Sequence, residues 1–143
     1  MKFEIIVGSV LGASEYVAEA IKERLLLSDH KAIIHFEPKI AEIDFDNIIL
    51  VVTSTHGAGD LPDNIQTFEK ELTQQNLPNA LCLVIGLGDS SYDTFCQGAI
   101  TMEESFTKVG AQLIYPPIHI DVLHHPVPED EAILYIEKVL VEL

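Results

Sequence analysis

The stretch "NIILVVTSTHGAGDLPDN" (Asn47–Asn64) is the most informative part of the chain about the fold, because a buried strand and a polar loop meet in it. Its first part, Asn47–Thr53, is hydrophobic almost without interruption, as expected of a strand covered on both faces of a sheet. The second part, Ser54–Asn64, combines two glycines, an imidazole and several side-chain oxygens, with no Lys or Arg. What this loop binds has to be inferred from the rest of the chain.

Four further apolar segments are predicted as strands. They are "KFEIIV" (Lys2–Val7), "KAIIHF" (Lys31–Phe36), "LCLVIG" (Leu81–Gly86) and "QLIY" (Gln112–Tyr115), and an extension of the last one to Ile120 stays open. The segment Leu81–Gly86 is also continuously hydrophobic, which again indicates a strand covered on both faces.

Helical patterns separate the strands. Apolar residues recur at helical spacing in Ser14–Leu27, Asp63–Gln75, Ile100–Val109 and Glu129–Leu143. Between strands 2 and 3, Pro38 leaves room for a short helix at most. Alternating strands and helices imply a parallel sheet with right-handed crossovers, and five strands favour the doubly wound order 2-1-3-4-5. We therefore expect one α/β domain over residues 1–143.

Composition excludes several classes of protein. The formal net charge of −15 is unsuited to nucleic acid, whose phosphates dominate its binding. No apolar stretch approaches the ~18 residues that indicate a membrane span. Glu4 and two glycines interrupt the apolar N-terminal stretch, so we expect no secretion signal and a cytoplasmic location. A monomer is expected.

The cysteines and histidines do not predict a metal site. Cys82 and Cys96 lack the C-x-x-C spacing of metal and redox motifs. Cys82 lies in a strand pattern and is predicted to be a core residue. The histidines of "HIDVLHH" (His119–His125) are expected to be structural, because strand and loop histidines more often are.

Three loops rich in glycine and polar side chains follow strands 1, 3 and 4. They are Gly8–Glu15, Ser54–Asn64 and Gly86–Cys96. Since the carboxyl ends of parallel strands share one edge of a sheet, these loops are expected to converge on one crevice. The first loop leads into a helix, whose free N–H groups suit a phosphate, although an ordinary turn with a serine cap would look the same. It has neither the Lys of a P-loop nor the pattern G-x-G-x-x-G.

Two ring side chains in these loops suit a planar ligand. His56 in the second loop and Tyr92 in the third can cover the two faces of a heterocycle, while glycines let the backbone approach its edge. Taken singly, each is more often a surface or packing residue, so the combination carries the prediction.

The stretches "SVLGASE", "STHGAGDLPDN" and "GLGDSSYDTFC" together resemble the three FMN-binding loops of the flavodoxin family. They are also similar to the FMN modules of diflavin reductases, and the chain length and the tail "HPVPED" are most similar to the short flavodoxins of the MioC type. The resemblance covers the whole chain. It implies a flavodoxin-like fold, FMN as cofactor, and a low-potential one-electron carrier with no catalytic residue and no metal.

Position by position, the resemblance implies roles for nineteen residues. The FMN phosphate is held by Ser9, Val10, Leu11, Gly12, Ala13 and Ser14. His56 covers one flavin face and Tyr92 the other, and the peptide of Gly57 changes orientation when the flavin is reduced. The remaining contacts are Ser54, Thr55, Ala58, Gly59, Leu87, Gly88, Asp89, Asp93, Phe95 and Cys96.

The first loop departs from the family pattern. Leu11 stands where members usually have Thr, and Ala13 stands where they often have Asn or Thr. Each missing hydrogen bond is worth about 0.5–1.5 kcal/mol, so we expect a modest FMN affinity.

Acidic residues lie in or beside all three loops: Glu15, Asp60, Asp63, Asp89 and Asp93. They disfavour an anionic reduced flavin and suit a basic-surfaced flavin reductase as partner. The resemblance further implies a ferredoxin/flavodoxin reductase as electron donor and biotin synthase as an acceptor. Two alternatives stay open at this point: an FMN-dependent NAD(P)H:quinone oxidoreductase and a regulatory module of the same fold without flavin.

Overall fold

A parallel sheet lies at the centre of the computed structural model, which describes all 143 residues. The strands are β1 (Lys2–Gly8), β2 (Lys31–His35), β3 (Ile48–Thr53), β4 (Leu81–Gly88), β5 (Gln112–Leu113) and β6 (Ile118–Asp121). They lie in the order β2-β1-β3-β4-β5, and all pairs are parallel. The predicted doubly wound order is therefore confirmed.

The fifth predicted strand is divided into two short ones. β5 pairs with the start of β4 and β6 with its end, so that Leu81 lies opposite Gln112 and Gly88 opposite Asp121. The predicted strand Gln112–Tyr115 is therefore longer than β5, which ends at Leu113. Pro116 and Pro117 follow and have no N–H to donate to a ladder, so pairing stops before them and resumes at Ile118.

Three helices and one 3₁₀ turn connect the strands, and a fourth helix follows the last strand. They are α1 (Ala13–Leu27), α2 (Asp63–Leu72), α3 (Gln97–Lys108), α4 (Pro128–Glu142) and the turn Ile40–Glu42. Two boundaries differ from the prediction by three residues, since α2 ends at Leu72 and α3 begins at Gln97. Cys96 has a left-handed conformation, with φ of 54°, and α3 begins directly after it. The helix therefore starts before the apolar pattern from which it was predicted.

Two helices cover each face of the sheet. α1 and α4 pack on the face that presents Phe3, Ile5 and Val7. α2 and α3 pack on the opposite face, where Cys82 is fully buried, as predicted. Because successive residues of β1 point to opposite faces, both halves of the core depend on the same strand.

One charged group lies within this apolar interior. Glu4 is only 2% exposed, and its carboxylate accepts a hydrogen bond of 3.0 Å from Asn47 Nδ2. The Nε2 atom of His35 lies 3.0 Å from the other carboxylate oxygen. These contacts satisfy a buried carboxylate and join β1 to β2 and to the residue before β3.

None of the helices is both long enough and apolar enough to cross a lipid bilayer.

Candidate functional site

A cleft of about 430 Å³ opens at the carboxyl ends of β1, β3 and β4. All three predicted loops line it, with Val10, Leu11, Ala13, Ser54, Thr55, Gly57, Leu87, Gly88, Asp89, Tyr92, Phe95 and Cys96. Its volume falls within the roughly 300–1,000 Å³ of small-molecule sites, and its walls are mostly apolar. The convergence expected from the strand order is thus present in the structure.

The first loop presents unpaired backbone donors at the start of α1. Gly12 has φ of 93°, and its N–H donates to Ser9 Oγ over 2.9 Å, which tightens the turn. The N–H groups of Val10, Leu11, Ala13 and Ser14 have no partner within the protein. Free amides at the positive end of a helix dipole form a site for an anionic group.

The hydroxyl groups of Ser14 and Ser54 lie 2.8 Å apart and join the first loop to the second. Ser14 is fully buried, whereas Ser54 lines the cleft, so this hydrogen bond ties a residue of the cleft wall to the interior beneath it. The serines at positions 9 and 14 thus support the turn and do not line the cleft. The Ser9 hydroxyl, which accepts from Gly12, keeps its hydrogen free to donate, and so does one of the two hydroxyls in the Ser14–Ser54 pair.

The second loop is closed by reciprocal backbone hydrogen bonds between His56 and Asp60. The N–H of each donates to the carbonyl of the other, over 2.7 and 2.8 Å. Gly57 and Gly59 make this turn possible, with φ of 54° and 106°. The His56 side chain is exposed and does not line the cleft, and Ala58 and Gly59 also lie outside it.

The third loop forms the opposite wall and the floor. Tyr92 lines the cleft and is 66% exposed, whereas Asp93 lies outside the lining. Asp89 accepts two hydrogen bonds from Ser91, from its N–H over 2.8 Å and from its hydroxyl over 2.6 Å. The exposed ring of Tyr92 is available to a planar group that enters the cleft.

Cys96 forms part of the floor as a buried thiol. Burial raises the pKa of Cys96 to about 12, and the nearby carboxylates of Asp121 and Glu103 add to the effect. A Cβ added at Gly88 would lie 2.9 Å from the Cys96 sulfur, so the backbone approaches the thiol closely there. At neutral pH this group is therefore protonated and a weak nucleophile.

Three residues that contribute to the site were not predicted. One of them, Val122, lines the cleft, as does Thr94 of the third loop. Asp121 accepts hydrogen bonds from the N–H groups of Ser90 and Leu123, and the pKa of Asp121 is lowered, chiefly by the Ser90 side chain. Asn64 bonds to the start of the first loop. It was visible as the last residue of the second motif, but nothing in the sequence assigned it a role.

No group of three or more His, Cys, Asp or Glu side chains is arranged to hold a metal ion. All three histidines in His119–His125 instead lie beside carboxylates. The Nε2 atom of His119 is 2.7 Å from Glu103, that of His124 is 3.5 Å from Asp121, and the Nδ1 atom of His125 is 3.4 Å from Glu131.

The family model described as flavodoxin matches residues 5–134, which is most of the chain. The chain belongs to the flavodoxin family. Members of this family are flavin-binding electron-transfer proteins, so the resemblance inferred from the three loops is confirmed.

Relatives support the same assignment for this flavodoxin. It is 40% identical over 122 residues to the MioC homolog of Haemophilus influenzae, covering 84% of each chain. It is 39% identical over 145 residues to flavodoxin YqcA of Escherichia coli, covering 94% of this chain and 93% of the relative. Among solved structures, a cysteine-to-alanine mutant of a flavodoxin from Pseudomonas aeruginosa superposes with a TM-score of 0.90 at 34% identity, covering 97% and 96% of the two chains.

The residues of this flavodoxin fit a flavin. Three residues that line the cleft have backbone N–H groups without a partner, which suits the polar edge of a flavin ring. They are Thr55, Gly57 and Asp89. The apolar lining and the Tyr92 ring suit its planar body, and the free amides at the start of α1 suit a phosphate tail.

Proposed function

We propose that this flavodoxin binds FMN in the cleft and carries single electrons at low potential between a flavin reductase and an acceptor enzyme. The observation that carries the proposal is the set of four unpaired amides at the start of α1, at one end of an apolar cleft bordered by Tyr92. A flavin with a phosphate monoester matches both ends of such a site, whereas a flavin without one leaves the amides unused.

The nineteen residues assigned from the resemblance remain the proposed contacts. Ser9, Val10, Leu11, Gly12, Ala13 and Ser14 would surround the phosphate through their amides and hydroxyls. Tyr92 would stack on the ring from the third loop, with Leu87, Gly88, Asp89, Asp93, Phe95 and Cys96 near the ring edge and the sugar-like chain. His56, with Ser54, Thr55, Gly57, Ala58 and Gly59, would approach the ring from the second loop, and His56 would need to turn from its exposed position to do so.

Bound FMN supplies a carrier that accepts and releases one electron at a time. The chain would hold it by neutral donors only, since none of its Lys or Arg residues lines the cleft. Asp89 lies in the cleft wall, and Asp60, Asp63 and Asp93 belong to the second and third loops. One such carboxylate at about 10 Å opposes added negative charge by roughly 1–2 kcal/mol at an effective dielectric of 20, and by less where salt screens it. The acids therefore lower the reduction potential of the site.

The same acids suggest the partners. A basic-surfaced ferredoxin/flavodoxin reductase is the proposed electron donor, because complementary charge accelerates encounter. Biotin synthase is a proposed acceptor, on the resemblance to short flavodoxins of the MioC type. The chain is proposed to act as a monomer in the cytoplasm.

Titration of the flavin-free protein with FMN tests this function. We expect one FMN per chain, quenched flavin fluorescence, and a midpoint potential below that of free FMN. In a stopped-flow experiment, NAD(P)H alone should not reduce the loaded protein, whereas a flavodoxin reductase with NADPH should. Direct reduction by NAD(P)H would favour the quinone oxidoreductase, and a lack of FMN binding would favour the regulatory module.

A further inference from the structure

Asn64 uses its whole side-chain amide to hold three backbone groups at the carboxyl edge of the sheet. Its Nδ2 donates to the carbonyl of Val7 over 2.6 Å and to the carbonyl of Phe36 over 2.9 Å. Its Oδ1 accepts from the N–H of Ser9 over 3.1 Å. Two donors and one acceptor group are thus all engaged, and all three partners lie in other elements of the fold.

The two contacts to β1 and its loop reproduce a strand pairing. In a parallel ladder, a residue donates to the carbonyl before its opposite residue and accepts from the N–H after it. The Asn64 amide does the same on either side of Gly8, at Val7 and at Ser9. Asn64 therefore occupies the place of a strand residue opposite Gly8.

The pairing position opposite Gly8 is free because β2 ends before it reaches Gly8. The register pairs Ile6 with His35, the last residue of β2, so two more residues of β2 would be needed to reach Gly8. The chain instead turns away after Phe36, whose carbonyl is the third partner of Asn64. Without Asn64, backbone groups of Val7, Ser9 and Phe36 would lose their partners at once.

The first turn of α2 fits tightly onto this end of β1. A Cβ added at Gly8 would lie 2.8 Å from Ile65 Cγ2 and would also meet Thr53 Oγ1 of β3. The residue after Asn64 therefore packs directly on Gly8, and Ile65 is itself fully buried. This packing fixes Asn64 relative to the strand end and leaves its side chain little freedom.

From this geometry we propose that Asn64 is a positioning residue for the anion-binding turn. Its bond to the Ser9 N–H sets where the chain leaves β1, and the free amides of Val10, Leu11, Ala13 and Ser14 follow directly. Asn64 does not line the cleft, so its side chain would not touch the ring of a bound flavin. The inference rests on the proposed function, because it requires the turn to hold the FMN phosphate.

Binding of two flavins separates positioning of the turn from a general structural role. FMN and riboflavin differ only by the phosphate, so the ratio of their affinities reports on the turn alone. For Asn64→Leu, which keeps the number and branching of the side-chain heavy atoms, and for Asn64→Ala, we expect FMN affinity to fall about 10-fold or more. Riboflavin affinity should change less than about 3-fold, because the ring contacts lie elsewhere.

Gln66→Ala is the matched control. Gln66 also lies in the first turns of α2, and its Nε2 donates to the carbonyl of Leu61 over 2.9 Å, without contact to the first loop. This variant should leave both flavin affinities unchanged. Equal losses for FMN and riboflavin in the Asn64 variants, or no loss for FMN, would overturn the proposal. Failure of the unaltered protein to bind FMN would instead overturn the proposed function.

Amide hydrogen exchange on the unaltered protein keeps the proposal testable if the variants do not fold. The Ser9 N–H should exchange slowly, because its partner Asn64 is held by packing. The neighbouring N–H groups of Val10 and Leu11, which have no partner, should exchange much faster without ligand. Similar rates for all three would show that the Asn64 contact does not hold the turn.

Discussion

The N–H of Gly98 donates a hydrogen bond of 2.9 Å to the Thr55 hydroxyl and so joins α3 to the loop after β3. The two backbones lie so close that a Cβ added at Gly98 would be 2.5 Å from the carbonyl oxygen of Ser54. This oxygen belongs to backbone and has little room to move. The second loop, which borders the cleft, is therefore supported by Gly98 of α3.

Gly98→Ala should destabilise the fold and weaken flavin binding together. The added methyl group would push the loop at Ser54 and Thr55 away from α3, and overpacking of this kind costs about 1–3 kcal/mol. Urea unfolding measures the loss in stability, and fluorescence titration measures the loss in FMN affinity. Thr101→Ala on the same helix is the control, since Thr101 makes no side-chain hydrogen bond. A Gly98→Ala protein as stable as the original would contradict the close approach.

Tyr92→Ala should weaken FMN binding more than His56→Ala does. The Tyr92 ring lines the cleft, whereas the His56 side chain is exposed outside it. Aromatic stacking is worth about 0.5–1.5 kcal/mol, so Tyr92→Ala should raise the Kd roughly 2- to 10-fold. Parallel titrations of both variants decide the order. The reverse order would show that the second loop rearranges when flavin binds.

Leu11→Thr and Ala13→Thr should each strengthen FMN binding about 2- to 10-fold by adding a hydroxyl donor to the turn. Leu11 is 94% exposed, so the change removes little packing and should not lower stability. Riboflavin titrations serve as the control, because no phosphate is present to use the new hydroxyl. An unchanged FMN affinity in both variants would mean that the backbone amides already saturate the phosphate.

Cys96 should resist alkylation while the protein is folded. With its pKa raised to about 12, almost no thiolate exists at pH 8, and iodoacetamide should react on the order of 10³-fold more slowly than in urea. Cys82 and Cys96 lie in the same tryptic peptide, residues 71–108, so fragmentation of this peptide by tandem mass spectrometry measures the labelling rate at each cysteine. Cys82, also buried with its pKa raised to about 12, is an internal comparison. Rapid labelling of Cys96 alone would show that the third loop opens.

Asp121→Asn should lower stability at neutral pH but not in acid. The pKa of Asp121 is lowered in the fold, so its ionised form stabilises the protein above the unfolded value of about 3.8. This contribution is lost as the pH falls through the pKa that Asp121 has in the folded protein. The Tm difference between Asp121→Asn and the original should therefore be largest near neutral pH and shrink below pH 4. Glu104→Gln, at an exposed carboxylate of α3, should show no such dependence.

Much of the architecture followed from patterns that report burial. The continuous apolar runs at Asn47–Thr53 and Leu81–Gly86 predicted strands covered on both faces, and both lie inside the sheet. The helical stripes and the strand order were also confirmed, because apolar periodicity and right-handed crossovers leave few alternatives. The carboxyl ends of three parallel strands then had to place the three loops at one edge.

Boundaries and local exceptions were less predictable. The division of β5 from β6 had a visible cause in Pro116 and Pro117, but the resumption of pairing at Ile118 depends on the length of β4 beside it. The early start of α3 depends on a left-handed Cys96, which no apolar pattern marks.

The fold class, the family and the edge of the sheet at which the three loops converge follow from the order of residues alone, since these depend on periodicity and on short contiguous motifs. Long-range packing sets which polar side chains line the cleft and which hold its backbone. Asn64 reaches Ser9 and Val7 across 55 and 57 residues of chain, and Thr55 reaches Gly98 across 43. Such hydrogen bonds depend on the packing of α2 and α3 to within fractions of an ångström, and no local pattern records that distance.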